Sequence, residues 1–380
     1  MNIRRIALGL IVSAICLYFV LRGVDWGEVL NHLSQVNLPL FLLSMVLMLA
    51  AYFLMAWRWQ LLLAPLELPA ATPATTPDPS PPTTYPPAQV PPEGLFSLYS
   101  KMLTGYFFNA FFPARAGDLV RAYLLGRKTG LPKTTILATI VIEKAFDGIA
   151  LLVLFLLSLI LLPAAISTAS GLSPDVLAWV AGIALLAAIA GLLLFYRFSD
   201  SIVRLVERVF NVLPLPRKLE RLIVRLVETF AGGMHIFKTP RPLLFAGIIS
   251  LVVWGVVAAM FLSALVSFKA TFPAEMMTLA GLLFMTGLVN LGLLIPALPG
   301  NVGTYEALCV AAMAVFGVTK ELAVAFALVF HVGQLVTTLA VGGIAFWTQN
   351  LSLAEMRPTE QAAEQEAAQS LDAFDRGTHA

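Results

Sequence analysis

An apolar run that opens at Lys101 stops at Asn109, Phe111, Phe112 and Pro113, short of what a bilayer crossing demands. A full span needs about 20 apolar residues in succession. Beyond the stop come Arg115, Gly117, Asp118 and Arg121, and then a new apolar segment carrying Glu143, Lys144 and Asp147. Backbone broken by Pro and Gly and flanked by charge survives at membrane depth only where protein or a water-filled cavity surrounds it. The stretch from Lys101 to Asp147 is therefore expected to be a site rather than a loop.

The rest of the chain puts that break inside a membrane. Only 12% of the 380 residues are charged and 59% are hydrophobic, whereas soluble domains carry about 25% charged residues. The expected class is an all-α polytopic membrane protein. Its net charge of +2 decides little, because placement of the charges matters more than their sum. Cys16 and Cys309 stand far apart in apolar segments, with no metal-ligand spacing and no disulfide framework. Neither a metal nor a cofactor is expected. Arg4 and Arg5 followed by an apolar run resemble a signal peptide, but no small-x-small site precedes Arg22, so an uncleaved first helix is expected.

About six full spans are expected, near residues 5–21, 39–57, 134–162, 176–196, 243–268 and 323–347. Trp57 and Trp59 flank Arg58, as where a helix leaves the membrane through an aromatic belt. Residues 1–64 form the N-terminal spans, and 65–93 read as a Pro-rich extended linker. Residues 94–349 form the main membrane domain, and 350–380 an acidic mobile tail. Between 197 and 241, Arg204, Arg208, Arg217, Lys218, Arg221 and Arg225 alternate with apolar residues at helical spacing. Helices lying in the interface and an ordinary basic cytoplasmic loop both fit that pattern.

A second broken stretch runs from 276 to 317, interrupted by Gly287, Asn290, Pro296, Pro299, Gly300 and Gly303, with Glu306 beyond the break. If both broken stretches are re-entrant hairpins, the basic residues fall overwhelmingly on one side. Arg58, Lys101, Arg115, Arg121, Arg127, Lys128, Lys133 and the 197–241 segment then face the cytoplasm, with both termini. The order span, span, hairpin, span occurs twice from opposite sides, which is the pattern of an inverted repeat.

These motifs resemble the flippase-like family that includes the transmembrane region of lysylphosphatidylglycerol synthases. The family's first signature, Gly-x-x-x-Asn, Pro-x-Arg-x-Gly-Glu-x-x-Arg and Glu-Arg-x-x-Asp, stands here as Gly105, Asn109, Pro113, Arg115, Gly117, Asp118, Arg121, Glu143, Lys144 and Asp147. Its second, Pro-x-x-Pro-Gly-x-x-Gly-x-x-Glu, stands as Pro296, Pro299, Gly300, Gly303 and Glu306. Asp118 replaces Glu and so reaches less far. Lys144 replaces Arg and loses the two-pronged geometry of a guanidinium. The resemblance implies a membrane protein that moves or handles lipids, with hairpins lining a polar cavity; the expected location is the plasma membrane. Full synthases carry an aminoacyltransferase domain, for which this chain has no large soluble region, so lysyl transfer is not expected.

Arg115 and Arg121 are the expected grip on a lipid phosphate, since guanidinium matches phosphate oxygens in pairs; ordinary inside-positive anchoring fits them too, Arg121 as well as the grip does and Arg115, two residues past the break, less well. Asn109, Asn290, Gly300 and Gly303 complete the expected headgroup-binding set. Glu143 and Asp147 share a helix face beside Lys144, and structural pairing with the arginines and proton coupling both fit them. Glu306 fits either a helix-dipole cap or the edge of an anion site. His331 fits either a hydrogen-bonded core histidine or a proton relay. With Asp118 these residues make the expected charge network, and no residue is assigned a catalytic role. The expected partners are a phospholipid or other anionic lipid, the membrane and a lipid-synthesising enzyme, and no nucleic acid. The rival classes are an integral-membrane transferase acting on a lipid-linked substrate, with Asp118, Glu143 or Asp147 as base or metal ligand, and an accessory subunit of a lipid synthase.

Overall fold

The computed structural model describes residues 13–64, 93–112, 115–131, 133–162, 178–187, 240–269, 272–294 and 299–349, with single positions 176, 190 and 191. The Pro-rich stretch, most of the basic segment, the tail, much of the expected fourth span, Pro113 and Pro296 lie outside the described residues.

Among the described residues all regular structure is helical. A helix over residues 13–21 (α1) is followed by α2 (Trp26–Ser34), α3 (Leu38–Leu63), α4 (Leu95–Phe111), α5 (Ala116–Thr129) and α6 (Lys133–Leu161). Then come α7 (Pro240–Ser267), α8 (Leu279–Gly292), a 3-10 turn (Pro299–Asn301), α9 (Thr304–Ala314) and α10 (Lys320–Thr348). Four of them, α3, α6, α7 and α10, are long and apolar enough to cross a bilayer. The chain is an all-α polytopic membrane protein.

Local chemistry sets the helix ends. Asn37 caps α3 by accepting from the Leu40 N–H at 3.2 Å, and Pro39 sits in the first turn, where its missing N–H costs nothing. Thr278 caps α8 through the Gly281 N–H at 3.2 Å. The Lys320 ammonium donates to the carbonyls of Phe19 and Arg22 at 3.1 and 2.6 Å, closing the C-terminal end of α1. The short helix α2 has no counterpart among the expected elements; Asp25 caps it through the N–H groups of Gly27 and Glu28.

The helices pair in a pattern that nearly maps onto itself when the two halves are exchanged. Helices α3 and α7 make the most extensive contact, α4 lies on α10, and α8 lies correspondingly on α6. Helix α4 folds back on α5 as α8 folds back on α9, and α5 meets α6 as α9 meets α10. The two broken segments therefore occupy equivalent places, and their tips meet, with α4 touching the Pro299–Asn301 turn.

The aromatic-belt reading of residues 57–59 is corrected. Trp57 is 44% exposed, but Arg58 and Trp59 are completely buried. Helix α3 continues past them to Leu63, and α6 supplies partners for both side chains: Asp147 for Arg58, and Thr139 for the Trp59 indole N–H at 3.0 Å.

Where the chain enters α4, Glu93 ties three helices together. Its carboxylate takes the buried Lys101 ammonium at 3.2 Å and that of Lys128 at 2.9 Å, while Gln60 donates to its backbone carbonyl at 2.9 Å. Burial pushes the Glu93 carboxyl up, but Ser97, Lys128 and Lys101 together outweigh it and hold it below the usual range of 4.5. An acid held low in the folded state stabilises the fold above its unfolded value and loses that contribution as pH falls through the folded one. Glu93→Gln is expected to cost about 1–3 kcal/mol at neutral pH, chiefly by stranding the buried Lys101. Lys128 is 58% exposed and adds little. Unfolding midpoints of the two proteins should converge below pH 4.5.

Candidate functional site

Helix α6 brings Glu143, Lys144 and Asp147 into the protein interior, and two arginines from other helices meet them. The Arg58 guanidinium on α3 donates to both Asp147 oxygens at 2.6 and 3.1 Å and to the Ser250 hydroxyl at 2.6 Å. It also stands 3.7 Å from Glu143. Arg121 on α5 donates to the two Glu143 oxygens at 3.4 and 2.9 Å, and its guanidinium lies 4.3 Å from the centre of the Trp59 ring. Lys144 is 3.7 Å from Glu143, and the Trp254 indole N–H donates to Asp147 at 3.3 Å. Such charges are tolerated at membrane depth because each faces an opposite charge or a hydrogen-bond partner.

Arg115 stands apart from this network. It sits in the left-handed region, φ 54°, directly before α5, a conformation that glycine would adopt with less strain. One of its terminal nitrogens donates to the Leu293 carbonyl at 2.9 Å, at the C-terminal end of α8, where the helix dipole favours a cation. The tip of the first broken segment is thus fastened to the end of the first helix of the second. Asn109 accepts from the Gly117 N–H at 2.7 Å, supporting the start of α5.

The second broken segment has the same grammar with other residues. Gly300 (φ 66°), Asn301 (φ 57°) and Gly303 (φ 86°) are all left-handed. Glu306 reaches back to accept the Gly303 N–H at 2.7 Å, half of a capping box. Its other oxygen meets Nδ1 of His331 on α10 at 2.7 Å, while Nε2 of His331 meets the Gly300 carbonyl at 2.9 Å. The imidazole stacks on Tyr305, with ring centres 4.3 Å apart.

Between the two segments lies a cavity of about 290 Å³. Asn109, Arg115 and Asp118 line it from the first segment, Lys144 and Asp147 from α6, and Asn290, Gly300 and His331 from the second segment and α10. One Asp118 oxygen is buried without a hydrogen-bond partner, and its nearest cation is Arg121 at 3.7 Å. Arg121, Glu143, Gly303 and Glu306 are not at the wall. Arg121 belongs with the buried ion pairs rather than with a headgroup site, being 1% exposed with both terminal nitrogens on Glu143. The lining also includes an aromatic part, the stacked pair Tyr52 and Tyr106 at 4.3 Å together with Trp254. Neither this aromatic wall nor Arg58 was among the expected site residues. For Arg58 no neighbouring residue signals burial, because its partners lie far along the chain.

The curated protein Glycosyltransferase AglD of Haloferax volcanii is 28% identical over 279 residues, which is 66% of this chain and 44% of that protein. The chain thus spans less than half the length of that relative. Residues 6–342 match the family described as the lysylphosphatidylglycerol synthase TM region, so the match takes in both broken segments and every helix around the cavity. The chain belongs to the lysylphosphatidylglycerol synthase transmembrane-region family.

Proposed function

We propose that this protein binds the anionic headgroup of a membrane lipid in the cavity between its two broken segments and moves that lipid across the bilayer. One observation carries the reading. At the cavity wall Arg115 and Lys144 face Asp118 and Asp147, and Asp147 is already held by Arg58. Among the described residues Arg115 pairs with no carboxylate: it donates to the neutral Leu293 carbonyl and faces the cavity. A guanidinium without a carboxylate partner at the wall of a cavity inside a membrane protein attracts an anion, and its geometry suits phosphate oxygens. The acyl chains would stay in the bilayer while the headgroup passes between the segments.

In this reading the broken segments are re-entrant hairpins of an inverted repeat, entering from opposite faces of a plasma membrane with both termini cytoplasmic. Asn109 and Asn290 offer amide groups to the headgroup beside Arg115. Removing Arg115 with Arg115→Ala should lower headgroup movement about tenfold or more in a vesicle flip assay, the worth of a charge-assisted contact. Asp118→Ala should do the same, with both variants still inserted in the membrane. Unaltered movement in the two variants would remove the basis of the reading.

The Haloferax relative is named a glycosyltransferase, which supports a second reading, an integral-membrane transferase or an accessory subunit of a lipid synthase. Product formation by the purified protein with lipid-linked donors, or co-purification with a lipid-synthesising enzyme, would favour it over transport.

A further inference from the structure

Glu306 and His331 form a closed hydrogen-bond circuit whose proton count follows from the acceptors around it. A carbonyl oxygen only accepts, so Nε2, which faces Gly300 at 2.9 Å, carries a hydrogen. One Glu306 oxygen is already taken by the Gly303 N–H. The other stands 2.7 Å from Nδ1, a separation that requires one hydrogen in the gap. On nitrogen or on oxygen, that hydrogen leaves the pair neutral as a whole. Without it, two lone pairs face each other and a net negative charge is confined where both side chains are 5% exposed.

We infer that the Glu306–His331 pair is a proton-binding site whose proton and an anion in the adjoining cavity bind together. This rests on the anion-binding reading above. His331 and Gly300 both line the cavity, so a deprotonated pair places negative charge beside the bound anion, whereas the protonated pair places none. The coupling is reciprocal: the proton favours the anion and the anion favours the proton. Losing the proton also weakens the hold of His331 on Gly300, whose left-handed turn lies close to Leu335 of α10 and to the Ala110 carbonyl at the tip of the first segment. Anion release and loosening of the second segment therefore follow from one event.

Other ionisable groups bear on the pair. Helix α9 supplies Tyr305 and Cys309, α5 and the residue before it supply Asp118 and Arg115, and α6 supplies Lys144 and Asp147. Tyr52 of α3 and Tyr106 of α4 line the cavity as well, while α7 brings Trp254 and α8 brings Asn290. Helix α2, packed on α10, carries Glu28 and His32, and α1, which abuts Gly303 at Ser13, carries Cys16.

The test is calorimetric titration of the whole reconstituted protein with dihexanoyl phosphatidylglycerol, in buffers of different ionisation enthalpy between about pH 5 and 8. Uptake of protons on binding, and an affinity that strengthens by up to about tenfold per pH unit lowered, are expected. Glu306→Gln keeps both contacts, since its amide donates to Nδ1 and its carbonyl accepts from Gly303, but it removes the titratable proton. That variant should bind without proton uptake and with the pH slope flattened, and an unfolding midpoint near that of the parent shows that it folds. His331→Gln should flatten the slope as well. Lipid binding by the parent with heats independent of buffer and pH overturns the proton site and leaves the cavity reading standing. No lipid binding at any pH overturns both.

Discussion

Arg58→Met is expected to lower the unfolding free energy by roughly 3–5 kcal/mol, the usual cost of breaking a buried ion pair by removing one partner. The loss concentrates on Asp147. Glu143 keeps Arg121 at 2.9 Å, whereas Asp147 is left with the Trp254 indole at 3.3 Å as its hydrogen-bond donor. A carboxylate in that position either stays charged at high cost or takes up a proton, and both outcomes destabilise the fold. Arg58→Lys should recover only part of the loss, because one ammonium cannot span both Asp147 oxygens and the Ser250 hydroxyl as the guanidinium does. Arg58→Met combined with Asp147→Leu should recover most of it, because the charges then disappear together. Denaturant unfolding in detergent micelles gives all four midpoints. A cost for Arg58→Met within about 0.5 kcal/mol, the range of an ordinary surface substitution, would contradict this assignment of Arg58.

The same residue marks where sequence reasoning stops. The spanning helices α3, α6, α7 and α10 were legible because the length of an apolar run is a property of neighbouring residues. The broken segments were legible for a similar reason, since Pro, Gly and charge inside apolar sequence demand a special surrounding. Arg58 was not, because its partners lie 89 and 192 positions further along the chain. An arginine between two tryptophans reads locally as an interfacial anchor, and only the packing of α3 against α6 and α7 turns it into a core residue. Arg121 illustrates the same limit. Its place in the motif indicated that it matters but not whether it faces a ligand or Glu143, and the two readings differ by where α5 rotates about its axis. Glu143 and Asp147 fared better because a spacing of four residues fixes their common face whatever the fold does. For Glu306 and His331 the sequence offered two separate polar residues. Their union depends on the left-handed turn at Gly300, which brings a carbonyl to the far side of the imidazole.

Gly117→Val is expected to destabilise the protein by about 3 kcal/mol or more, the upper range for overpacking. A side-chain carbon at Gly117 would coincide with the Gly105 carbonyl oxygen and would come within 2.7 Å of the Asn109 side chain. Both obstacles belong to the hairpin itself: one is backbone, and the other is the group that accepts the Gly117 N–H. Relief therefore requires α4 and α5 to separate, which breaks the cap from Asn109 and displaces Arg115, two residues upstream, from the Leu293 carbonyl. Gly117→Ala should show the same effect at smaller size, because even the first carbon has no room. The proper comparison is Gly255→Ala on the exposed face of α7, where nothing stands within 4 Å of the added methyl. There the change should be neutral or stabilising by up to about 1 kcal/mol, as for glycine to alanine in a helix interior. If the three variants unfold together, the contact between α4 and α5 is looser than backbone against backbone. If Gly117→Ala stays folded but loses lipid movement while Gly255→Ala does not, the close approach is what holds Arg115 at the cavity wall.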